Sequence, residues 1–155
     1  MTYNEYRENK QKEVNALPIF FAFSNEQFEK ELNKRGITLD EAPDKLYKYG
    51  DTGGFYLKSD TDTIRKFHED WSDNKLREMM INDLDFAYSA FEYEMYNHEY
   101  PINWQGDWDV CSCFGHCEYD DSKYGKDYLA ELGFNDLVIA QYYRASKTVR
   151  ANGEW

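Results

Sequence analysis

A helical pattern that runs without interruption from about Asn74 to Glu99 constrains the fold more than any other feature of this sequence. One side of this segment is an apolar stripe, and the opposite side carries aromatic residues, among them Phe86, Tyr93 and Tyr96. A helix that is aromatic on both sides is either central to the fold or presents its second side to a partner. At 100° per residue, seven apolar side chains form the main stripe: Leu76, Met80, Leu84, Ala87, Tyr88, Phe91 and Met95.

Shorter patterns on both sides of this segment predict further helices. Ser24-Asn-Glu-Gln27 is a capping box at the start of one helix, and Gly36 is a residue that typically ends one. Asn135 is a suitable cap for the last helix. The predicted helices cover about 2–15, 24–36, 40–47, 60–71, 74–99, 122–132 and 135–149.

Aromatic segments bounded by polar residues predict short strands. Leu17–Phe23 is one such segment, and Tyr47–Lys58 reads as a hairpin around Gly50-Asp-Thr-Gly-Gly54, where glycines supply positive φ angles. We expect a small antiparallel sheet built from the segments near Ile19, Tyr49, Phe55 and Cys111. Short strands set among longer helices predict an α+β fold with a helical majority. A chain of 155 residues fits one globular domain over 1–155.

The cysteines and the apolar runs bear on the compartment. Cys111, Cys113 and Cys117 are odd in number and crowded, whereas a secreted disulfide framework usually has an even and spread set. The first residues lack the apolar stretch of a signal peptide, and the longest apolar run, 16–23, is far shorter than the ~20 residues of a membrane-spanning helix. We therefore expect a protein of the reducing cytoplasm that has no contact with membranes.

The negative charge of the chain is concentrated in its middle. The net charge is −12, and residues 83–131 carry twelve acidic residues against Lys123 and Lys126, a net of −10. A field of this sign repels nucleic acid and attracts basic protein surfaces or cations. It also favours solubility, which is the alternative explanation. The sequence thus disfavours direct binding of nucleic acid.

The same region contains residues that could hold a metal. Cys111, Cys113 and Cys117 with His116 or His98 offer thiolate and imidazole ligands for zinc. The spacing is poor, however, because two cysteines one residue apart in a strand point to the same side and no second pair exists. We therefore expect reduced, metal-free cysteines and no cofactor.

The same region could also carry the active site of an enzyme. Asp107 and Asp109 would share one face of a strand and could hold a hard cation with Glu118 or Asp120, so that the Asp107–Cys117 loop could support metal- or thiol-dependent catalysis. No Walker, zincin, dinucleotide-binding or Gly-x-Ser-x-Gly motif occurs in the sequence. The motifs therefore favour a protein that is not an enzyme.

Several segments resemble an uncharacterised family of small acidic proteins from phages and bacterial mobile elements. They are residues 15–28, the Gly53-Gly-Phe-Tyr56 turn, and Asn97-His-Glu-Tyr100 running into residues 103–115. The resemblance covers most of residues 15–132. The family has no established activity, so no functional residue is assigned from it. It implies a setting, because small acidic mobile-element proteins often act against host defences and some anti-CRISPR and anti-restriction proteins imitate the phosphates of DNA.

The leading hypothesis is therefore a viral-type inhibitor that competes with nucleic acid for a basic cleft of a host defence enzyme. Tyrosine is a frequent anchor at interfaces, and DNA presents one charge per ~1.7 Å that carboxylates can imitate. An alternative is a binding protein for a small molecule such as a nucleotide signal, with Trp104 and Trp108 stacking on bases. The candidate partner-binding residues are Asp83, Glu92, Tyr93, Glu94, Tyr96, Glu99, Asp107 and Asp109.

Overall fold

The computed structural model describes residues 1–153, and the chain divides into two compact units. Unit 1 consists of Met1–Gln11 together with the chain from Trp71 onward, and unit 2 consists of Lys12–Asp70. Helix α1 (Tyr3–Ala16) begins in unit 1 and ends in unit 2. The expected α+β fold with a helical majority and a small antiparallel sheet is confirmed. The expectation of one domain over 1–155 stays a prediction.

Unit 2 contains the whole sheet of the described chain. After β1 (Phe20–Phe21) follow α2 (Asn25–Lys34), α3 (Ala42–Lys45), the hairpin strands β2 (Leu46–Tyr49) and β3 (Gly54–Leu57), and α4 (Thr61–Asp70). The strand order is β1-β3-β2, and both pairings are antiparallel. Its core consists of Phe20, Leu32, Ile37, Ala42 and Leu46.

Local signals explain why this part of the chain folds as the sequence predicts. Gly50 and Gly53 have φ angles of 55° and 80°, the left-handed region in which glycine carries no Cβ penalty, so the hairpin turn forms where the glycines lie. The Ser24 hydroxyl accepts a hydrogen bond from the Gln27 N–H and caps α2. The Gln27 side chain accepts from the N–H of Phe23 rather than that of Ser24, so the capping box is shifted by one residue.

Unit 1 is helical. It contains the first part of α1 and the helices α5 (Asp73–Asn82), α6 (Leu84–Asn97), α7 (Gly106–Cys111), α8 (Gly125–Glu131) and α9 (Asp136–Asn152). Asn135 caps α9, as expected, by accepting from the Val138 N–H. None of the helices among residues 1–153 is long and apolar enough to cross a membrane.

The single helix expected over about 74–99 is wrong, because Asp83 divides it into α5 and α6. Asp83 is extended (φ −142°, ψ 99°), and its side chain accepts a hydrogen bond from the Phe86 N–H. An aspartate at this position satisfies an amide that otherwise has no partner at a helix start. The apolar stripe continues across the break, which is why its periodicity alone did not show the break.

Helix α6 lies at the centre of the core of unit 1, as one of the two interpretations of its pattern requires. Phe86, Ala87, Phe91 and Met95 are buried on it, and α9 is the element packed most extensively against it. Phe91 makes edge-to-face contacts with Phe114 and with Tyr142 of α9. Aromatic pairs of this kind add to the stabilisation from burial alone.

The strand expected near Cys111 is also wrong. Residues 106–111 form α7, and a 3-10 turn follows at Ser112–Phe114. Asp107 and Asp109 lie in the first turn of α7, where negative charge stabilises the helix dipole. Val110 and Cys111 are adjacent and both fully buried, which a short helix allows and a strand with one buried face does not.

Candidate functional site

The structure places the eight candidate partner-binding residues in different environments. Only some of them are available to a partner. Asp83, Tyr96 and Glu99 are exposed, Glu92, Tyr93, Asp107 and Asp109 are half-buried, and Glu94 is buried.

Three of them line one open cleft in unit 1. Glu92, Tyr93 and Tyr96 border a cleft of about 500 Å³ together with Tyr88 on α6 and residues near the start of α1. The carboxylate and the aromatic rings are therefore presented side by side. This is the part of the predicted surface that the fold brings together.

Two arginines of the chain already contact aromatic rings of this cleft. The Arg7 guanidinium lies 4.2 Å from the centre of the Tyr93 ring, and the Arg144 guanidinium lies 4.1 Å from that of Tyr88. A guanidinium over a tyrosine face is attracted by the ring quadrupole. One face of each of these two rings is thus already covered by an arginine of the same chain, and both arginines reduce the net negative charge around the cleft.

Asp107 and Asp109 do not share a face, which corrects the strand-based expectation. In α7 they are about 200° apart around the helix axis. One oxygen of Asp107 accepts hydrogen bonds from the hydroxyls of Tyr100 (3.0 Å) and Tyr142. Burial, followed by nearby anionic groups that include Asp107, raises the pKa of Tyr142. Tyr142 therefore stays a hydrogen-bond donor to Asp107.

Asp109 is held on the other side of α7. The Asn103 amide donates to its carboxylate (2.6 Å) and also to the backbone carbonyl of His98 (3.1 Å). This carboxylate therefore fixes the chain between α6 and α7.

Glu94 is the centre of a compact cluster with His98 and Cys113. Cys113 Sγ lies 3.3 Å from both Glu94 Oε2 and His98 Nε2, and Glu94 Oε2 lies 3.4 Å from His98 Nε2. The second Glu94 oxygen accepts from the Tyr3 hydroxyl (3.0 Å). In the part of the chain that the structure describes, these three residues form the group of potential metal ligands whose donor atoms all lie within 4.8 Å of one another.

The electrostatics of this cluster oppose a thiolate. Burial, followed by the negative charge of Glu94, raises the pKa of the Cys113 thiol to about 12. A nucleophilic cysteine needs the opposite shift, toward a lower thiol pKa. The proximity of Cys113 and His98 therefore does not make a catalytic pair.

The two other cysteines take no part in this cluster. All three cysteines are free, and Cys111 and Cys117 are buried. The Cys111 thiol faces the Gly125 carbonyl at 3.9 Å, and burial raises the pKa of both thiols. The sequence offered three cysteines and one histidine as possible zinc ligands. The structure does not bring these four side chains together, because only Cys113 and His98 of that set converge.

Trp104 and Trp108 border a second open cleft, of about 340 Å³. Tyr119 contacts both indoles edge to face, and Trp104 is 82% exposed. Lys123 and Arg150 also line this cleft, but so do three aspartates: Asp107, Asp120 and Asp121. It therefore lacks the excess of positive charge that would favour an anionic nucleotide.

Residues 2–117 match the model of a family of unknown function, DUF7659. The chain belongs to this family. The expectation of an uncharacterised family is confirmed in that form. Searches of curated proteins and of solved structures found no match. The matched range contains all eight candidate partner-binding residues and the Glu94–His98–Cys113 cluster, whereas α8 and α9 lie beyond it.

Sequence reasoning placed Glu94 on a surface and did not connect it with His98. The signal was present, since positions four apart on a helix lie one above the other on the same face. Cys113 had no comparable signal. Its approach to α6 depends on how the 3-10 turn after α7 packs in the core, which no local pattern shows.

Proposed function

We propose that this protein is a non-enzymatic inhibitor that docks on the basic, nucleic-acid-binding cleft of a host defence enzyme. The observation that carries the proposal is the cleft on α6, in which Glu92, Tyr93 and Tyr96 lie together within the most acidic segment of the chain. Carboxylates beside aromatic rings suit lysine and arginine side chains, and tyrosines are frequent anchors of interfaces. The setting, a phage or mobile element acting against its bacterial host, comes from the family resemblance and belongs to the proposal.

The charge around this cleft supports the same reading. Within the described part of residues 83–131, the ion pairs are Lys123–Glu131 and the His98–Glu94 contact. The exposed Asp83, Asp85 and Glu99 therefore keep their charge available to a partner. Opposite charge accelerates the encounter of two proteins and is screened beyond ~8 Å at physiological salt.

The cleft and the exposed flank of α6 define the surface to be tested. Asp85 and Glu92 lie seven residues apart on α6, and Glu99 follows the end of this helix. Asp85 and Glu99 are exposed, and Glu92 is half-buried at the cleft. The triple variant Asp85→Lys, Glu92→Lys and Glu99→Lys reverses the charge at these three positions. Glu94 and Asp109 are left intact, because Glu94 is buried and Asp109 is bonded to Asn103.

The matched control is the triple variant Glu26→Lys, Glu29→Lys and Asp51→Lys in unit 2, where all three residues are exposed. Both triple variants change the net charge from −12 by the same amount. Wild type and variants are used to capture partners from a host lysate, and the association rate of a purified partner is measured at rising salt.

The expected result is that the α6 variant loses a DNA- or RNA-binding partner that the unit 2 variant retains, and that DNA competes with the wild type for it. Equal capture by both variants, or an association rate that does not depend on salt, would mean that the acidity serves solubility alone.

A further inference from the structure

We propose that Glu94, His98 and Cys113 form a zinc site that joins the end of α6 to the turn after α7. The proposal goes beyond the docking surface and does not depend on it. One carboxylate oxygen, one imidazole nitrogen and one thiol sulfur converge here from two separate elements of unit 1. This mixture of oxygen, nitrogen and sulfur suits zinc and is unsuited to magnesium or calcium, which take oxygen ligands.

The distances between the donor atoms fit a tetrahedral ion. Zinc lies ~2.3 Å from a thiolate and ~2.0–2.1 Å from an imidazole or carboxylate, so neighbouring ligand atoms are about 3.3–3.6 Å apart at the tetrahedral angle. The three separations in the cluster are 3.3, 3.3 and 3.4 Å. The ligands therefore need little rearrangement to receive the ion.

The surroundings orient the ligands as metal sites require. The Tyr3 hydroxyl and, at 3.4 Å, the Asn97 amide donate to the two oxygens of Glu94. Contacts of this kind hold a ligating carboxylate in place, and removing one typically weakens metal binding 10–100-fold. Tyr3 is buried between aromatic rings of the core, so its hydroxyl is well fixed.

A bound cation also offsets the concentration of negative charge around Glu94 and Cys113. Glu94 is buried, and Asp109 and Asp73 add negative charge around the Cys113 thiol. A bound dication inverts this situation, because it stabilises the carboxylate and deprotonates the coordinating thiol. Three protein ligands leave a fourth position for water, as in zinc sites with an open coordination position.

The first test is titration of the metal-stripped full chain with Zn²⁺, using His98→Ala as the ligand variant and His116→Ala as its control. His116 is exposed and lies on the same segment as Cys113. We expect the wild type and His116→Ala to bind one equivalent, and His98→Ala to bind at least about 100-fold more weakly, beyond the range of a lost supporting contact. If His98→Ala binds Zn²⁺ as tightly as the wild type, the proposal is overturned.

The second test uses Co²⁺ in place of Zn²⁺, because a thiolate ligand gives Co²⁺ a charge-transfer absorption. We expect this band in the wild type and in Cys117→Ser, and its loss in Cys113→Ser. Absence of the band in the wild type, or its persistence in Cys113→Ser, would show that Cys113 is not a ligand.

A third measurement controls for folding. Zn²⁺ bound only to the folded state raises the unfolding temperature of the wild type, and Mg²⁺ at the same concentration leaves it unchanged. Tyr3→Phe keeps the ring and removes only the hydroxyl, and we expect it to weaken Zn²⁺ binding 10–100-fold while circular dichroism stays that of the wild type. Equal effects of Zn²⁺ and Mg²⁺ would contradict a zinc site.

Discussion

Unit 2 places several of its carboxylates beside basic side chains, whereas unit 1 places several of its carboxylates beside hydroxyl, amide and thiol groups. In unit 2, Glu31 contacts Lys34 and Arg35, Glu41 contacts Lys45, and two further pairs lie on α4. In unit 1, Glu94, Asp107 and Asp109 accept from uncharged donors. Unit 2 carries a net charge of −3, and unit 1 carries −9.

The difference shows that the acidity of the two units has different physical consequences. Exposed ion pairs one helical turn apart contribute little to stability individually. A carboxylate that accepts from a buried hydroxyl contributes more, because its loss leaves the donor unsatisfied. Unit 1 therefore uses part of its negative charge in its interior. It exposes further carboxylates, of which Glu78 and Glu131 are paired with lysines, and only the exposed, unpaired ones can act on a partner.

The largest expected effect is that of Asp107→Ala. It removes the acceptor of both Tyr100 and Tyr142, which are buried, so the free energy of unfolding should fall by about 2–4 kcal/mol. Asp107→Asn keeps a carbonyl oxygen and should cost less. Chemical denaturation of the wild type and both variants measures these differences in the free energy of unfolding.

Glu41→Ala in unit 2 is the control for this prediction. It removes an exposed carboxylate paired with Lys45, and its effect should be much smaller. If Asp107→Ala and Glu41→Ala destabilise equally, the contrast between interior and surface carboxylates is wrong.

A medium effect is expected at Asp83, where the carboxylate caps α6. Asp83→Ala should lower the free energy of unfolding by about 1 kcal/mol, and Asp83→Asn, which keeps the cap without the charge, should cost much less. Thermal unfolding of the three proteins distinguishes capping from charge. Ser24→Ala removes the uncharged cap of α2 and is the matching variant in unit 2. A loss in Asp83→Asn as large as that in Asp83→Ala would show that the charge, not the cap, stabilises α6.

The smallest effect is expected for Glu31→Gln. Hydrogen bonds from Arg35 and Lys34 hold the pKa of Glu31 below its ordinary value of 4.5. As the pH falls below that value, the unfolded chain takes up the proton first, so this contribution to stability is present at neutral pH and is lost through the acid range. The free energy of unfolding measured at neutral pH and below pH 4.5 should change slightly less for Glu31→Gln than for the wild type. A steeper acid dependence in the variant would contradict the sign of the pKa shift.

The sequence predicted elements where a local signal decides the structure. The hairpin follows from Gly50 and Gly53, and α2 and α9 follow from their caps, Ser24 and Asn135. Residue spacing failed at Cys111, where a strand was expected but a six-residue helix buries the adjacent Val110 and Cys111. Short apolar segments of this kind fit either structure, and tertiary packing decides between them.

The candidate site was predictable only in part. Glu92, Tyr93 and Tyr96 were assigned to one surface, and they share a cleft. Glu94 lies on the same helix but is buried. Its partners Tyr3 and Cys113 come from distant parts of the sequence. Contacts across about 20 or 90 residues have no signature in a single sequence.

The path of the chain between the units has a consequence for synthesis on the ribosome. Unit 2 is continuous in sequence, whereas unit 1 is completed only by α9, whose Val138, Tyr142 and Val149 are fully buried. Domains generally fold as units while the chain is made. Unit 2 can therefore fold first, while Tyr3 and Tyr6 stay without their core neighbours Phe86 and Phe114 until the chain beyond unit 2 has been made.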